Sequence, residues 1–157
     1  MEIDFMQDGG SELERIQALL GGKNVLGRPI RSVLDAHDVI SIGLPAAVLT
    51  YISSQMELLQ DADRLQKALG ISLRTLQRHK DEPNKALSQE QSGRAWKFAE
   101  IVNKATSILG SLEAAQEWLM KPAVGLEQRC PIDLLSTPVG VELVEDLLER
   151  MEYGVYA

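Results

Sequence analysis

Apolar positions recur along this chain at three- and four-residue spacing, the period of a helix with one buried face, and glycine and proline divide the pattern into helix-sized pieces. The first piece is "SELERIQALLGG": Ser11 caps it, Leu13, Ile16, Leu19 and Leu20 form its stripe, and Gly21 and Gly22 end it. "KNVLGRPIRS" reads as a loop, and "VLDAHDVISIG" as a short helix stopping near Gly43. Pro45 suits the first turn of the next helix, "PAAVLTYISSQM". "DADRLQKAL" and "SLRTLQRHK" are two more, separated by little beyond Gly70 and Ile71 and followed by a polar break, "DEPNKAL".

A long helix is then expected over "SQEQSGRAWKFAEIVNKATSIL", with Ser88 and Gln91 at capping-box spacing and a repeat through Ala95, Phe98, Val102, Ala105 and Leu109. Gly93 weakens its first turns. "SLEAAQEWLMKP" is a further helix stopped by Pro122, and "AVGLEQRCPIDLLS" a compact connection. The last helix opens at Thr137 and Pro138 and runs to about Tyr153, before Gly154. No stretch alternates as a strand would, so the fold class expected is all-α, a helical bundle.

Composition narrows the picture. The chain has 157 residues, 45% of them apolar but only 4% aromatic, enough for one domain or two small packed ones. Its single cysteine, Cys130, allows no internal disulfide, and with two histidines no structural zinc site is expected. No metal or cofactor is expected. The acidic start "MEIDFMQDGG" has no signal-peptide core, and the most apolar stretch, "ISIGLPAAVLTYI", is too short for a bilayer and interrupted by Pro45, so a cytoplasmic protein without a membrane partner is expected.

Against a formal net charge of −7, the segment from Arg64 to Lys80 holds Arg64, Lys67, Arg74, Arg78 and Lys80 and no acidic residue. Its layout is that of a helix-turn-helix over residues 61–80. The turn needs a residue tolerant of positive φ and then an apolar plug, which Gly70 and Ile71 supply, and Ser72 can cap the second helix. Stepping about 100° per residue from Leu73 puts Leu73 and Leu76 inward and Arg74, Thr75, Arg78 and His79 outward. With Ser72 and Lys80, these are the candidate DNA-binding residues. Arginine chelates guanine edges or clamps phosphates, and threonine reaches either. A basic face that merely keeps a helix solvated has the same composition. Two departures stand out: Gln66 lies where a small residue usually lets the helices approach, and His79 where an apolar residue is commoner.

Nothing points to an enzyme. Neither His37 nor His79 pairs with a serine or Cys130 in a recognisable catalytic setting, and the glycines form neither a P-loop nor a dinucleotide fingerprint. His37 reads as a helix-surface or capping residue, Cys130 as a packed one, and Trp96, Phe98 and Trp118 as core. The last helix segregates its faces: Leu143, Val144, Leu147, Leu148 and Met151 on one, Glu142, Glu145, Asp146, Glu149 and Glu152 on the other. Beyond it, Tyr153 and "GVYA" are more aromatic and apolar than an ordinary chain end. Docking on the chain's own core, docking on a homodimer mate and insertion into a partner all fit such a tail.

In order along the chain, "HDVISIGLPAAVL", "LGISLRTLQR", Trp118-Leu119, Pro122, Gly125-Leu126, Pro131, Leu134-Leu135, Thr137, Gly140, Leu148, Arg150 and the ending Tyr153-Gly154-Val155-Tyr156-Ala157 resemble the Xre/MbcA/ParS-type antitoxins, partners of RES-domain toxins. The resemblance implies an N-terminal Xre-like region, taken as residues 1–87, and a toxin-binding domain, residues 88–157. It implies neutralisation of an NAD-degrading RES-domain toxin through the antitoxin's C-terminal end, carried here by Glu149, Arg150, Tyr153, Gly154, Val155, Tyr156 and Ala157. Operator DNA is the second implied partner, and a homodimer is expected because paired half-sites raise affinity. The competing reading is a transcriptional regulator with no toxin partner.

Overall fold

The computed structural model describes residues 11–154, so Val155, Tyr156 and Ala157 lie outside the described residues. Those described fold as α1 (Glu12–Leu19), α2 (Gly22–Leu26), α3 (Val33–Ile42), α4 (Ala47–Gln55), α5 (Ala62–Leu69), α6 (Leu73–Asp81), α7 (Gln89–Leu109), α8 (Leu112–Leu119) and α9 (Pro138–Glu152), with short 3-10 turns between some of them. The only β contacts among them are two isolated bridges.

Serine, threonine and aspartate caps start most of these helices where the sequence places them. Ser11, Ser32, Asp61, Ser72, Ser88, Ser111 and Thr137 each accept from a main-chain N–H of the first turn that has no partner inside the helix. The expected boundaries fail at two places. Gly22–Leu26 is a short helix rather than loop, because burying Leu26 beside α1 and α4 holds five residues that no periodicity announces. The helix expected from Pro45 begins at Ala47, because Pro45 lies in a bridge with Ala86. There the 81–87 break straps onto the chain, Leu87 N–H donating to the Leu44 carbonyl and Ala46 N–H to that of Lys85.

The long α7 is the axis. Ala95, Trp96, Phe98, Ala99, Ile101, Val102 and Ala105 are buried on several sides of it, and α1, α3, α5, α8 and α9 pack around it. Gly93 does not break this helix: α3 lies against it, with Ile40 in ordinary contact range. One continuous apolar cluster runs from Ile16 to Leu148. The helix-turn-helix and the C-terminal helix thus rest on the same scaffold.

Candidate nucleic-acid and partner interfaces

The turn between α5 and α6 forms as its composition requires. Gly70 takes the left-handed conformation at φ 70°, and Ile71 behind it is buried. Ser72 Oγ accepts from Thr75 N–H at 3.1 Å and donates to Thr75 Oγ1 at 3.1 Å. Both hydroxyls are therefore engaged in the cap, at the end of α6 where free amides favour a phosphate.

The rotation of α6 differs from the one expected. Leu73 is 46% exposed, while Leu76 and His79 form the buried edge, His79 at only 9% exposure. His79 therefore does not face outward and is not available to a base edge. The error came from setting Leu73 inward; shifting the origin by one position turns the face. Arg74, Gln77, Arg78 and Lys80 stand exposed along the outside. Gln77, of a residue type that can pair bidentately with adenine, is exposed on this face and was not among the expected outward residues. Burial holds the His79 imidazole below its ordinary pKa, helped by the charges of Arg78 and Lys85 and opposed by Glu82. Its Nε2 is buried without a hydrogen-bond partner.

Two other basic-patch details change. Lys67 is occupied: its Nζ lies 2.7 Å from Asp133 and 2.9 Å from Asp63, and these hydrogen bonds, Asp133 first, raise its pKa well above the ordinary lysine value. It fastens α5 to the connection before α9 rather than presenting a charge to a partner. Gln66 is exposed, so no small residue is needed there, while the buried Ala68 faces the core. On the other side of α5, Arg94 of α7 donates to the main-chain carbonyls of Lys67 at 2.7 Å and Gln66 at 3.3 Å.

The second surface is α9. Thr137 accepts from Gly140 N–H at 3.0 Å and Pro138 occupies the first turn, as expected. Gly140 is required by contact: a Cβ there would overlap the Leu134 carbonyl. Val144, Leu147 and Leu148 are buried, but Leu143, expected with them, is 48% exposed. It belongs instead to an outward stripe of Val139, Leu143, Asp146, Arg150 and Tyr153, spaced four and three residues apart and about 21 Å long. A sequence signal was available: the apolar set of α9 is wider than one buried face needs. Tyr153 is 74% exposed, and Glu149, Arg150 and Gly154 are exposed beside it. At Gly154, φ 74°, the chain leaves the helix axis.

Between α7 and the start of α9 lies an open groove of about 580 Å³, with Phe98, Ile101, Leu135 and Val141 among its apolar walls and Arg94 on its rim. Lys97 bridges its two sides through Glu145 at 3.2 Å.

This arrangement has counterparts. Residues 35–100 match a family described as the antitoxin Xre-like helix-turn-helix domain, and residues 104–154 one described as the antitoxin Xre/MbcA/ParS C-terminal toxin-binding domain. The chain belongs to the Xre-type antitoxins. The first match ends and the second begins inside α7. Among relatives, antitoxin Xre of Yersinia enterocolitica is 33% identical over 92 residues, 58% of this chain and 62% of that protein. Antitoxin Xre of Pseudomonas putida is 29% identical over 156 residues, covering 98% of this chain and 92% of the relative, and that of Photorhabdus laumondii is 26% identical over 131 residues, 83% and 86%. The all-helical fold, with a helix-turn-helix ahead of a toxin-binding domain, stands as the sequence implied. Among the described residues no helix is long and apolar enough to cross a membrane.

Proposed function

We propose that this antitoxin neutralises an NAD-degrading RES-domain toxin by placing its C-terminal tail in the toxin's active-site entrance, and that it represses its own operon through α6. The observation that carries the reading is the outward stripe of α9. It leaves apolar and aromatic side chains uncovered along one edge and leads, at Tyr153 and Gly154, to Val155, Tyr156 and Ala157. A pocket made for NAD accepts phosphates and flat rings, and a peptide bearing tyrosines beside the Glu149 carboxylate offers comparable chemistry. Glu149 and Arg150 frame the base of that tail, with Val155, Tyr156 and Ala157 as its plug.

Operator binding is assigned to Arg74, Gln77, Arg78 and Lys80, with Ser72 and Thr75 holding the N-terminus of α6 against a phosphate. A homodimer presents two such helices to paired half-sites. The functional division falls near residue 88, with α7 serving both sides. The chain itself carries no catalytic role in this scheme. The acidic body complements a basic toxin while α6 presents a local basic face, Arg74, Arg78 and Lys80, to DNA.

The test is to add the purified chain to its cognate toxin and follow NAD consumption. The expected result is loss of NAD degradation at stoichiometric ratio. Continued degradation at saturating excess would leave the rival reading, a regulator without a toxin partner.

A further inference from the structure

The geometry points to Arg94 as a positioning residue for operator binding: from α7 it holds the helix-turn-helix corner in place without touching DNA itself. This rests on the DNA-binding reading of α6.

Arg94 belongs to α7, outside the α5–α6 pair, yet its guanidinium reaches the last turn of α5, where main-chain carbonyls lack partners within the helix. The Gln66 carbonyl already accepts from Gly70 N–H. The Lys67 carbonyl, whose helical donor would be the N–H of Ile71, accepts from Arg94 Nη2 at 2.7 Å instead. A cation at this end also meets the negative end of the helix dipole. Arg94 thus acts as the C-terminal cap of α5, supplied from another element.

It also walls the turn. A Cβ built on Gly70 would come within 2.7 Å of Arg94 Nη1, so the guanidinium is seated directly against the residue that reverses the chain. Only Ile71 and Ser72 separate that residue from α6. The angle between α5 and α6 depends on the few dihedrals of this turn, and a rigid planar group seated against it removes freedom that a hinge would otherwise have. The Nε of Arg94 is buried with no acceptor, which is what results when two carbonyls on one side dictate the orientation of the fork. Arg94 also lines the groove that Pro138 and Val139 of α9 border.

The experiment measures operator affinity of the full chain over a range of salt concentrations for the parent, Arg94→Gln, Arg94→Lys and Arg78→Ala. Arg94→Gln is expected to bind about 10-fold more weakly, the effect of one charge-assisted hydrogen bond, while inhibiting the toxin as the parent does. Its salt slope should equal the parent's because no phosphate contact is lost, whereas Arg78→Ala, if it meets phosphate, lowers the slope by about 1. Arg94→Lys keeps a donor for the Lys67 carbonyl and should fall between. In a cycle with Gly70→Ala, the added methyl should cost more operator affinity in the parent than beside Arg94→Gln, where its neighbour is gone. Parent-like affinity of Arg94→Gln, a lowered slope, joint loss of toxin inhibition, or strict additivity in the cycle would each overturn the assignment. Failure of the parent chain to bind its operator would instead overturn the reading of α6, and this inference with it.

Discussion

His79 shows how one side chain couples charge to stability. Its folded-state pKa is lowered by burial first and by Arg78 and Lys85 next, against the ordinary 6.5 it regains when unfolded. Between those two values the unfolded chain binds more protons, so stability is complete above the ordinary value and declines as pH falls below it. Thermal unfolding followed from about pH 7.5 to about pH 5 should show a falling midpoint, and His79→Leu should flatten that fall, since the histidine contributes a buried nitrogen without a partner. On the outer face, Arg74→Ala and Arg78→Ala should each weaken operator binding by about 1–3 kcal/mol in a salt-controlled titration while leaving toxin inhibition intact. The outward exposure of both arginines was legible from sequence because charge and spacing are local properties. His79 was legible only in part. Its oddity at an apolar position was visible, but its direction depended on which way Leu73 turned, and an exposed leucine looks the same in a string as a buried one.

At the scale of elements, caps and stops were the most readable features. Ser72, Ser88 and Thr137 act through contacts within three residues, so no tertiary knowledge is needed to find them. The short α2 was not readable, since five residues show no period and their order comes from packing Leu26 against distant helices. Continuity of α7 through Gly93 was likewise decided by α3, outside the local pattern. On α9 the error over Leu143 is informative, because apolar surface left uncovered on a helix named for toxin binding is where a partner gains most. Leu143→Asp is expected to change folding stability by no more than about 0.5 kcal/mol, as for a surface position, yet to weaken capture of the toxin measured by calorimetry. A large drop in thermal midpoint would place Leu143 in the fold instead.

Over the whole molecule, one core supports two surfaces with opposite tasks. The basic α6 follows α5, which packs on α7 as α9 does, and Lys67 and Arg94 tie α5 to the connection before α9 and to α7. The all-helical class was open to sequence analysis because periodicity and glycine punctuation repeat over the full length. The ties were not, since Arg94 and Lys67 act on positions 27 and 66 residues away in the chain. The most direct measurement of the central claim compares the parent chain with one lacking residues 154–157, titrating each against the cognate toxin while following operator binding and thermal unfolding in parallel. The account predicts unchanged unfolding and operator affinity with loss of toxin inhibition; inhibition by the shortened chain at the parent's ratio would contradict it.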